Sequence, residues 1–296
     1  MNAIRVIQDP ALEGPANMAR DEALLTQVGT GESPPTLRMY QWDPPAVSVG
    51  YFQHYADFEA LGPPINALAV VRRLTGGGAI LHDLELTYSL ALRREDPLLH
   101  QTPNRLYELM QDIIIAALAA LQIRTRRVAQ GHEAGIPCSS VALSGEGMSL
   151  SMGVQKLGME LRREAVAFRE SARPEVRGSL ERSAVPGEPF FCFERRHRFD
   201  VLYGEAKIAG SAQRRTRKAV LQHGSIILDS RFPQQHVATV PIPFEDAINR
   251  LRDALVNEFV HLASVGAGSG CWSASELSTA ATLFDKYAGD GWTRRM

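Results

Sequence analysis

The chain has 296 residues, of which 45% are apolar, and its formal net charge at pH 7 is −1. This length and apolar content suffice for a full-sized hydrophobic core, while the near-zero charge gives no whole-protein electrostatic argument for a nucleic-acid or membrane partner. No apolar run is long enough for a transmembrane helix, and three widely spaced cysteines argue against a disulfide framework or a cysteine metal site, which favours a reducing cytoplasm.

The first part of the chain combines one helix with short strands. Apolar residues at helical spacing predict an amphipathic helix over 15–28. Two runs, 37–42 and 47–52, predict strands that a Pro-Pro pair separates. A third apolar run, 67–71, predicts a buried strand because it is short, β-branched and bounded by prolines and glycines.

Three consecutive glycines, Gly76, Gly77 and Gly78, follow this last strand. Without Cβ atoms they expose backbone N–H groups and let another group approach the main chain closely. Their spacing is neither that of a phosphate-binding loop nor that of a dinucleotide-binding fold. A plain β-hairpin with a flexible tip would explain the glycines alone, whereas the flanking Arg-Arg and His-Asp pairs favour a functional site before the next strand, 86–92.

The middle of the chain contains one core helix and one long irregular region. Apolar residues at helical spacing predict a well-buried helix over 102–121. The region 131–189 is rich in Gly, Ser and Pro, which predicts a flexible insertion, and a helix over 154–168 is the one element expected within it.

The last part of the chain returns to regular structure. Strands are predicted over 200–203, 207–213 and 219–229, and helices over 244–262 and 275–287. A Gly/Ser stretch between the two helices is interpreted as a loop. The complete pattern predicts the α+β class, with mixed, largely antiparallel sheets flanked by helices, in a single domain over 1–296 that carries the insertion at 131–189.

Two signatures in this order resemble those of the biotin/lipoate protein ligase superfamily. The first is R-R-L-T-G-G-G-A-I-L-H-D at 72–83, followed by E-L-T-Y-S at 85–89. The second is K-I-A-G-S-A-Q at 207–213 with L-Q-H-G-S at 221–225, which resembles the branch of lipoate ligases and octanoyltransferases. Each glycine cluster is a weak signal alone, whereas the ordered set is specific.

The resemblance implies a fold related to class II aminoacyl-tRNA synthetases and a reaction that acylates a lysine of a small lipoyl-bearing protein. The acceptor would be a lipoyl-domain protein such as the glycine cleavage H protein or a 2-oxoacid dehydrogenase E2 subunit. Octanoyltransferases of this family take the octanoyl group from acyl carrier protein through a cysteine thioester and need no cofactor. Lipoate–protein ligases instead activate free lipoate with ATP and Mg as an acyl-adenylate.

Cys192 distinguishes these two chemistries. It lies in F-C-F shortly before the second signature and resembles the acyl-accepting cysteine of the octanoyltransferases. A free cysteine, with a pKa near about 8.5, is mostly protonated at neutral pH, and a nearby ammonium such as Lys207 would favour the thiolate. The alternative for Cys192 is a small buried apolar residue, which is the interpretation kept for Cys138 and Cys271.

The resemblance also implies a set of substrate-binding positions. Backbone N–H groups of the three glycines are suited to hold the acyl carbonyl or a pantetheine arm. The positions that match the two signatures are Arg73, Gly76, Gly77, Gly78, His82, Ser211 and Gln213. For His82 a hydrogen-bonded structural role and a polar pocket role stay open, and a structural role is favoured for His223.

A triad of Cys192, His82 and Asp83 is not favoured. Adjacent residues of a strand point to opposite faces of the sheet, so His82 and Asp83 would not serve the same thiol.

The one concentrated basic patch is formed by Arg214, Arg215, Arg217 and Lys218. A solvated turn explains it, and docking of an acidic carrier protein is the alternative.

Two other functions stay open from the sequence. An ATP-dependent ligase is the first, although few residues follow the strand that ends at Asp229, too few for the accessory domain that many ligases carry. The second is a non-catalytic relative that binds acylated carriers or a lipoyl domain.

Overall fold

The structure is a computed structural model, and it describes residues 3–100, 102, 104–128 and 189–296. The insertion predicted at 131–189 lies outside the described residues apart from its last position, as do the helix predicted over 154–168 and Cys138. All described residues belong to one unit of the chain. None of the helices in the described part is long and apolar enough to cross a membrane.

Eleven strands are present among the described residues. They are β1 (Ala3–Leu12), β2 (Thr36–Trp42), β3 (Ala46–Val49), β4 (Ala69–Arg72), β5 (Ile80–His82), β6 (Leu84–Arg93), β7 (Arg126–Arg127), β8 (Val201–Tyr203), β9 (Ala206–Arg215), β10 (Ala219–Asp229) and β11 (Gly266–Ser269). The α-helices are α1 (Gly14–Thr30), α2 (Tyr55–Glu59), α3 (Arg105–Ala120), α4 (Phe244–Ala263), α5 (Ala274–Ala288) and α6 (Asp290–Thr293). Short 3-10 turns occupy Ile65–Ala67, Pro97–Leu99 and Cys192–Glu194.

The strands form two sheets. The larger has the order β11-β1-β2-β6-β10-β9-β8-β7, parallel at β11-β1-β2 and antiparallel from β2 onward. The smaller has the order β4-β3-β5, with β3 parallel to β4 and antiparallel to β5. Mixed, largely antiparallel sheets flanked by helices confirm the predicted α+β class.

The alternation of side chains along β6 assigns different partners to the two faces of the large sheet. Leu90 packs in the main core with Ile113 of α3 and Leu251 of α4. Ala91 faces the other way and joins a second cluster with Leu24 of α1. The period of two along a strand therefore separates a helix-covered core face from the face that α1 and the small sheet cover.

The glycine stretch does not form a hairpin. β4 and β5 lie on opposite sides of β3, so residues 73–79 cross over the end of that strand. The hairpin interpretation is wrong because a hairpin requires the two flanking strands to pair with each other. The crossover leaves the three glycines in an irregular loop.

Other elements also differ from the sequence prediction. The Gly/Ser stretch after α4 contains β11, which pairs in parallel with β1, and the N-terminal residues that precede α1 form that ten-residue strand. Helix α3 begins at Arg105, three residues later than predicted.

Candidate active site

Backbone hydrogen bonds fix Cys192 next to the glycine loop. The N–H of Cys192 donates to the carbonyl of Ala79 at 2.7 Å, and the N–H of Ala79 donates to the carbonyl of Phe190 at 3.0 Å. Phe191 and Phe193, on either side of Cys192, are buried, whereas Cys192 itself is half-buried. The two phenylalanines anchor the segment while the thiol keeps access to the cavity described below.

Lys207 of β9 is in direct contact with the thiol. Its Nζ donates to Cys192 Sγ at 3.4 Å and to the Cys192 carbonyl at 3.2 Å, and it lies 3.0 Å from Asp200 Oδ1. The lysine and aspartate side chains are 2% and 5% exposed. A Cβ at Gly210 would lie 2.8 Å from this Nζ, so the glycine of the second signature leaves space for the ammonium.

Three ionisable side chains, those of Cys192, Lys207 and Asp200, lie close together here. Burial raises the pKa of the Asp200 carboxyl, and the Lys207 ammonium opposes that rise. A cation in hydrogen-bond contact with a half-buried sulfur stabilises the thiolate, which is the nucleophilic form of cysteine. The structure thus brings together the two residues predicted to be catalytic.

Arg73 holds the glycine loop in its conformation. Its Nη1 donates to the Ser48 carbonyl and to Ser48 Oγ, both at 2.7 Å, and its Nη2 donates to the carbonyls of Gly76 at 3.2 Å and Gly78 at 2.9 Å. Burial lowers the pKa of Arg73 to about 10, so the guanidinium is still charged at neutral pH. The predicted binding residue Arg73 therefore orients loop carbonyls.

The loop carbonyls point to Arg73, and the loop N–H groups keep their hydrogen-bonding capacity. Gly77 has a φ of +92°, a conformation that glycine adopts without strain. Among the described residues, none accepts a hydrogen bond from the N–H of Gly76, Gly77 or Gly78. These donors are suited to an oxygen atom of a ligand, such as a developing oxyanion.

His82 is part of a buried hydrogen-bond chain. Its Nε2 lies 2.6 Å from Ser48 Oγ, its Nδ1 lies 2.7 Å from Glu85 Oε1, and its ring stacks on Trp42 with centroids 3.7 Å apart. Burial lowers the pKa of His82 below 6.5, which favours the neutral ring, although Glu85 opposes that change. With Nδ1–H assigned as donor to Glu85, Ser48 donates to Nε2 and accepts from Arg73.

The carboxylate of Asp83 takes no part in the hydrogen-bond chain of His82. It accepts a hydrogen bond from the backbone N–H of Arg231 at 2.9 Å and forms an ion pair with that arginine. His82 and Asp83 thus have separate partners, which agrees with the rejection of a triad that includes Cys192.

His223 supports the start of the glycine loop. Its Nδ1 lies 3.1 Å from Asp21 Oδ2, and its Nε2 lies 2.7 Å from Oγ1 of Thr75, the residue before Gly76. A buried, doubly hydrogen-bonded ring agrees with the structural role that the sequence favoured.

One cavity collects most of the predicted site residues. Cys192, Arg73, Gly76, Gly77, His82 and Ser211 line it, together with Met18, Tyr40 and Trp42, among other side chains. The large apolar surfaces of Trp42 and Met18 suit an aliphatic chain, and the cysteine and the glycine loop suit its carbonyl end.

Gln213 lies outside this cavity. It lines a neighbouring groove with Tyr51, Tyr107 and Arg214, and its amide donates to Gln222 Oε1 at 2.6 Å. Gly76 lines both spaces. The signature match alone did not distinguish the inner wall of the site from its entrance.

Sequence reasoning missed Asp200, Ser48 and Glu85 as supporting residues. Ser48 lies within the strand predicted over 47–52, and Glu85 begins the E-L-T-Y-S segment of the first signature, so their proximity to the site could have been inferred there. Nothing in the sequence around Asp200 indicates its role, because its partner Lys207 lies in β9, on the far side of the turn that follows β8.

The described residues offer no alternative metal or cysteine site. Among them, no group of three or more His, Cys, Asp and Glu side chains has the geometry to hold a metal ion. Cys271 is exposed and free, and it lines neither the cavity nor the groove.

The chain is similar to known proteins over most of its length. A family profile described as the lipoyl protein ligase A/B catalytic domain matches residues 13–161 and 179–258. The octanoyltransferase LipM of Kyrpidia tusciae is 32% identical over 94% of this chain and 94% of its own. LipM of Symbiobacterium thermophilum is 32% identical over 95% of this chain and 94% of its own.

A solved structure is similar in fold. It is a bi-partite lipoate protein ligase from Thermoplasma acidophilum, with a TM-score of 0.60 and 20% identity over 99% of this chain and 97% of that chain.

Proposed function

Because the chain belongs to the lipoyl protein ligase A/B catalytic domain family, we propose that it is an octanoyltransferase that transfers an octanoyl group from acyl carrier protein to a lysine of a lipoyl domain through a thioester on Cys192. It is an acyltransferase, as are the LipM proteins that match nearly its whole length. The observation that carries the cysteine mechanism is the 3.4 Å contact between Lys207 Nζ and Cys192 Sγ.

The first half-reaction acylates the enzyme. The Cys192 thiolate forms a bond to the octanoyl carbonyl carbon, and the bond from that carbon to the carrier sulfur breaks. The carrier thiolate takes up a proton and leaves as a thiol. The N–H groups of the glycine loop stabilise the oxyanion between these two steps, because they have no competing acceptor among the described residues.

The second half-reaction transfers the octanoyl group to the acceptor and regenerates the free thiol of Cys192. The amine of the acceptor lysine attacks the thioester carbonyl, an amide forms, and the bond between that carbon and Sγ breaks. The amine loses one proton overall and the sulfur regains one. The Lys207 ammonium stabilises the departing thiolate as it did the attacking one, so both half-reactions use the same contact.

The acceptor follows from the reaction class. A lipoyl-domain protein, such as a glycine cleavage H protein or a 2-oxoacid dehydrogenase E2 subunit, presents the lysine; the Thermoplasma ligase named above was solved in a study that includes its E2 lipoyl domain. Since the carrier thioester is already activated, the reaction needs neither ATP nor Mg. A thiolate nucleophile is favoured by reducing conditions, which supports the cytoplasmic location that we propose for the reaction.

Intact-protein mass spectrometry tests this function directly. The purified protein is mixed with octanoyl-acyl carrier protein without ATP, and an octanoyl adduct is expected in the wild type and in Cys271→Ser but not in Cys192→Ser. Addition of an apo lipoyl domain should then move the adduct to the acceptor. Acceptor modification only with free octanoate and ATP would instead identify a ligase and make Cys192 a packing residue.

A further inference from the structure

A surface groove borders the catalytic cavity. It has a volume of about 410 Å³ and is lined by Tyr51, Phe52, Tyr107, Gln213 and Arg214, among others. Gly76 lines both the groove and the cavity, so the glycine loop is a wall that the two spaces share. Phe52 is 53% exposed, so the groove wall offers apolar surface to a ligand.

Strand β9 runs along both spaces. Ser211 faces the cavity, and Arg214 and Arg215 line the groove. At about 3.3 Å per residue, Arg215 lies about 13 Å along the strand from Ser211. A partner bound beyond Arg215 therefore needs an extended group to reach the cavity that Ser211 lines.

The outer end of the groove carries a concentrated positive charge. The tight turn between β9 and β10 brings Arg217 and Lys218 next to Arg94, whose N–H donates to the Lys218 carbonyl at 2.8 Å. Among the described residues, no carboxylate lies within ion-pair distance of these three side chains. Burial lowers the pKa of Arg215, and the positive charge of Arg94 lowers it further, because the two guanidinium groups repel each other.

We propose that an acidic acyl carrier protein docks on this basic patch, formed by Arg94, Arg214, Arg215, Arg217 and Lys218, and that its thioester-bearing arm lies in the groove and passes Gly76 to reach Cys192. The proposal rests on the proposed function, since it assigns a path to the donor of that reaction. Charge complementarity selects the partner: the whole chain is nearly neutral, so a cluster of five cations is a local feature that attracts an acidic surface.

The geometry favours the donor over the acceptor for this surface. The acceptor lysine is carried on a stem of only four carbons, which is shorter than the distance from the patch to the cavity. A carrier protein holds its acyl group on a long prosthetic arm that can follow the groove. The aromatic rings of Tyr51 and Tyr107 offer the arm apolar contact, and Gln213 offers it an amide partner.

Two donors separate docking from chemistry. The rate of acyl-enzyme formation is measured with octanoyl-acyl carrier protein and with octanoyl-pantetheine, which has the arm but no protein. In Arg217→Glu/Lys218→Glu we expect the KM for the carrier to rise about tenfold or more, and the KM for octanoyl-pantetheine to change less than about twofold. Arg124→Glu/Arg250→Glu is the control with the same charge change, because both residues are exposed and neither lines the groove.

The arm path has its own variant. Tyr107→Ala should raise the KM for both donors, since both carry the arm.

In Arg217→Glu/Lys218→Glu, an unchanged carrier KM at low salt would overturn the proposal. So would normal acylation combined with slower discharge of the acyl-enzyme to the lipoyl domain, which would assign the patch to the acceptor. If neither donor acylates the wild type, the proposed function itself is overturned, before any substitution is made.

Discussion

Gly78 and Cys192 approach each other so closely that a Cβ at position 78 would lie 3.0 Å from the backbone nitrogen of Cys192. The same Cβ would lie 3.0 Å from the carbonyl oxygen of Phe190. Both atoms belong to the hydrogen bonds that join the cysteine segment to Ala79. The third glycine of the loop is therefore required by the position of the nucleophile.

Gly78→Ala should slow acyl-enzyme formation at least about tenfold, because the cysteine segment must shift away from the loop by a few tenths of an ångström. Gly76→Ala is the matched control, since a Cβ there meets only the Phe52 ring at 3.8 Å. A single-turnover time course followed by mass spectrometry measures both rates. Equal rates in the two variants would contradict the argument.

Lys207→Met should reduce acylation at least about 100-fold, because the thiolate loses its cationic partner. It should also lower the free energy of unfolding by about 3–5 kcal/mol, since Asp200 becomes a buried carboxylate without its ammonium. Lys207→Met/Asp200→Leu separates the two effects: stability in urea should recover while acylation stays slow. Recovery of acylation in the double variant would remove Lys207 from the chemistry.

Arg73→Lys should slow acylation about tenfold or more. The planar guanidinium of arginine donates to Ser48 and to two loop carbonyls at once, and a lysine ammonium cannot reproduce this geometry. The neighbouring Arg72 provides the comparison. Its guanidinium bonds the carbonyls of Gly50, Gln53 and Thr293 and contacts no residue of the glycine loop. Arg72→Lys should therefore lower the melting temperature with a smaller effect on acylation, and the reverse pattern would be incompatible with these roles.

Glu276 makes stability depend on acid pH. Burial alone would raise the pKa of Glu276, yet hydrogen bonds from Arg5, Ser33 and the Ser273 backbone lower it from 4.5 to about 2. The unfolded chain thus binds this proton at higher pH than the folded chain, so the stabilisation is complete above pH 4.5 and is lost as the pH falls toward 2. The shift corresponds to roughly 3 kcal/mol.

Glu276→Gln should accordingly flatten the decline in unfolding free energy between pH 4.5 and 2.5, measured by urea titration at several pH values. Glu245→Gln, an exposed residue in the first turn of α4, should keep the wild-type slope. A wild-type slope in Glu276→Gln would show that other carboxylates cause the acid sensitivity.

The sequence predicted those elements whose pattern is local. Helices α1, α4 and α5 and strand β10 lie within two residues of their predicted bounds, because the sequence signals that define them are local. Strand β11 was missed because Gly266–Ser269 has no β-branched or aromatic residue and becomes a strand only through its pairing with β1.

The site was predictable to the same degree. The two signatures identified Lys207 and the glycine loop, and the F-C-F segment before the second signature identified Cys192, whereas their mutual distances depend on how β9 and the small sheet meet. Buried charge was the least predictable feature: Arg38 is completely buried, with hydrogen bonds of 2.7 Å to Asp9 and to Asp21, and its sequence context is simply an apolar strand. Long-range polar pairs of this kind leave no periodic trace.

The backbone bonds between Ala79 and residues 190–192 also bear on how the site can be redesigned. They join the nucleophile to the glycine loop, so a displacement of one segment is transmitted to the other. A protein engineer who alters the loop therefore has to redesign the cysteine segment with it, because neither is an independent module.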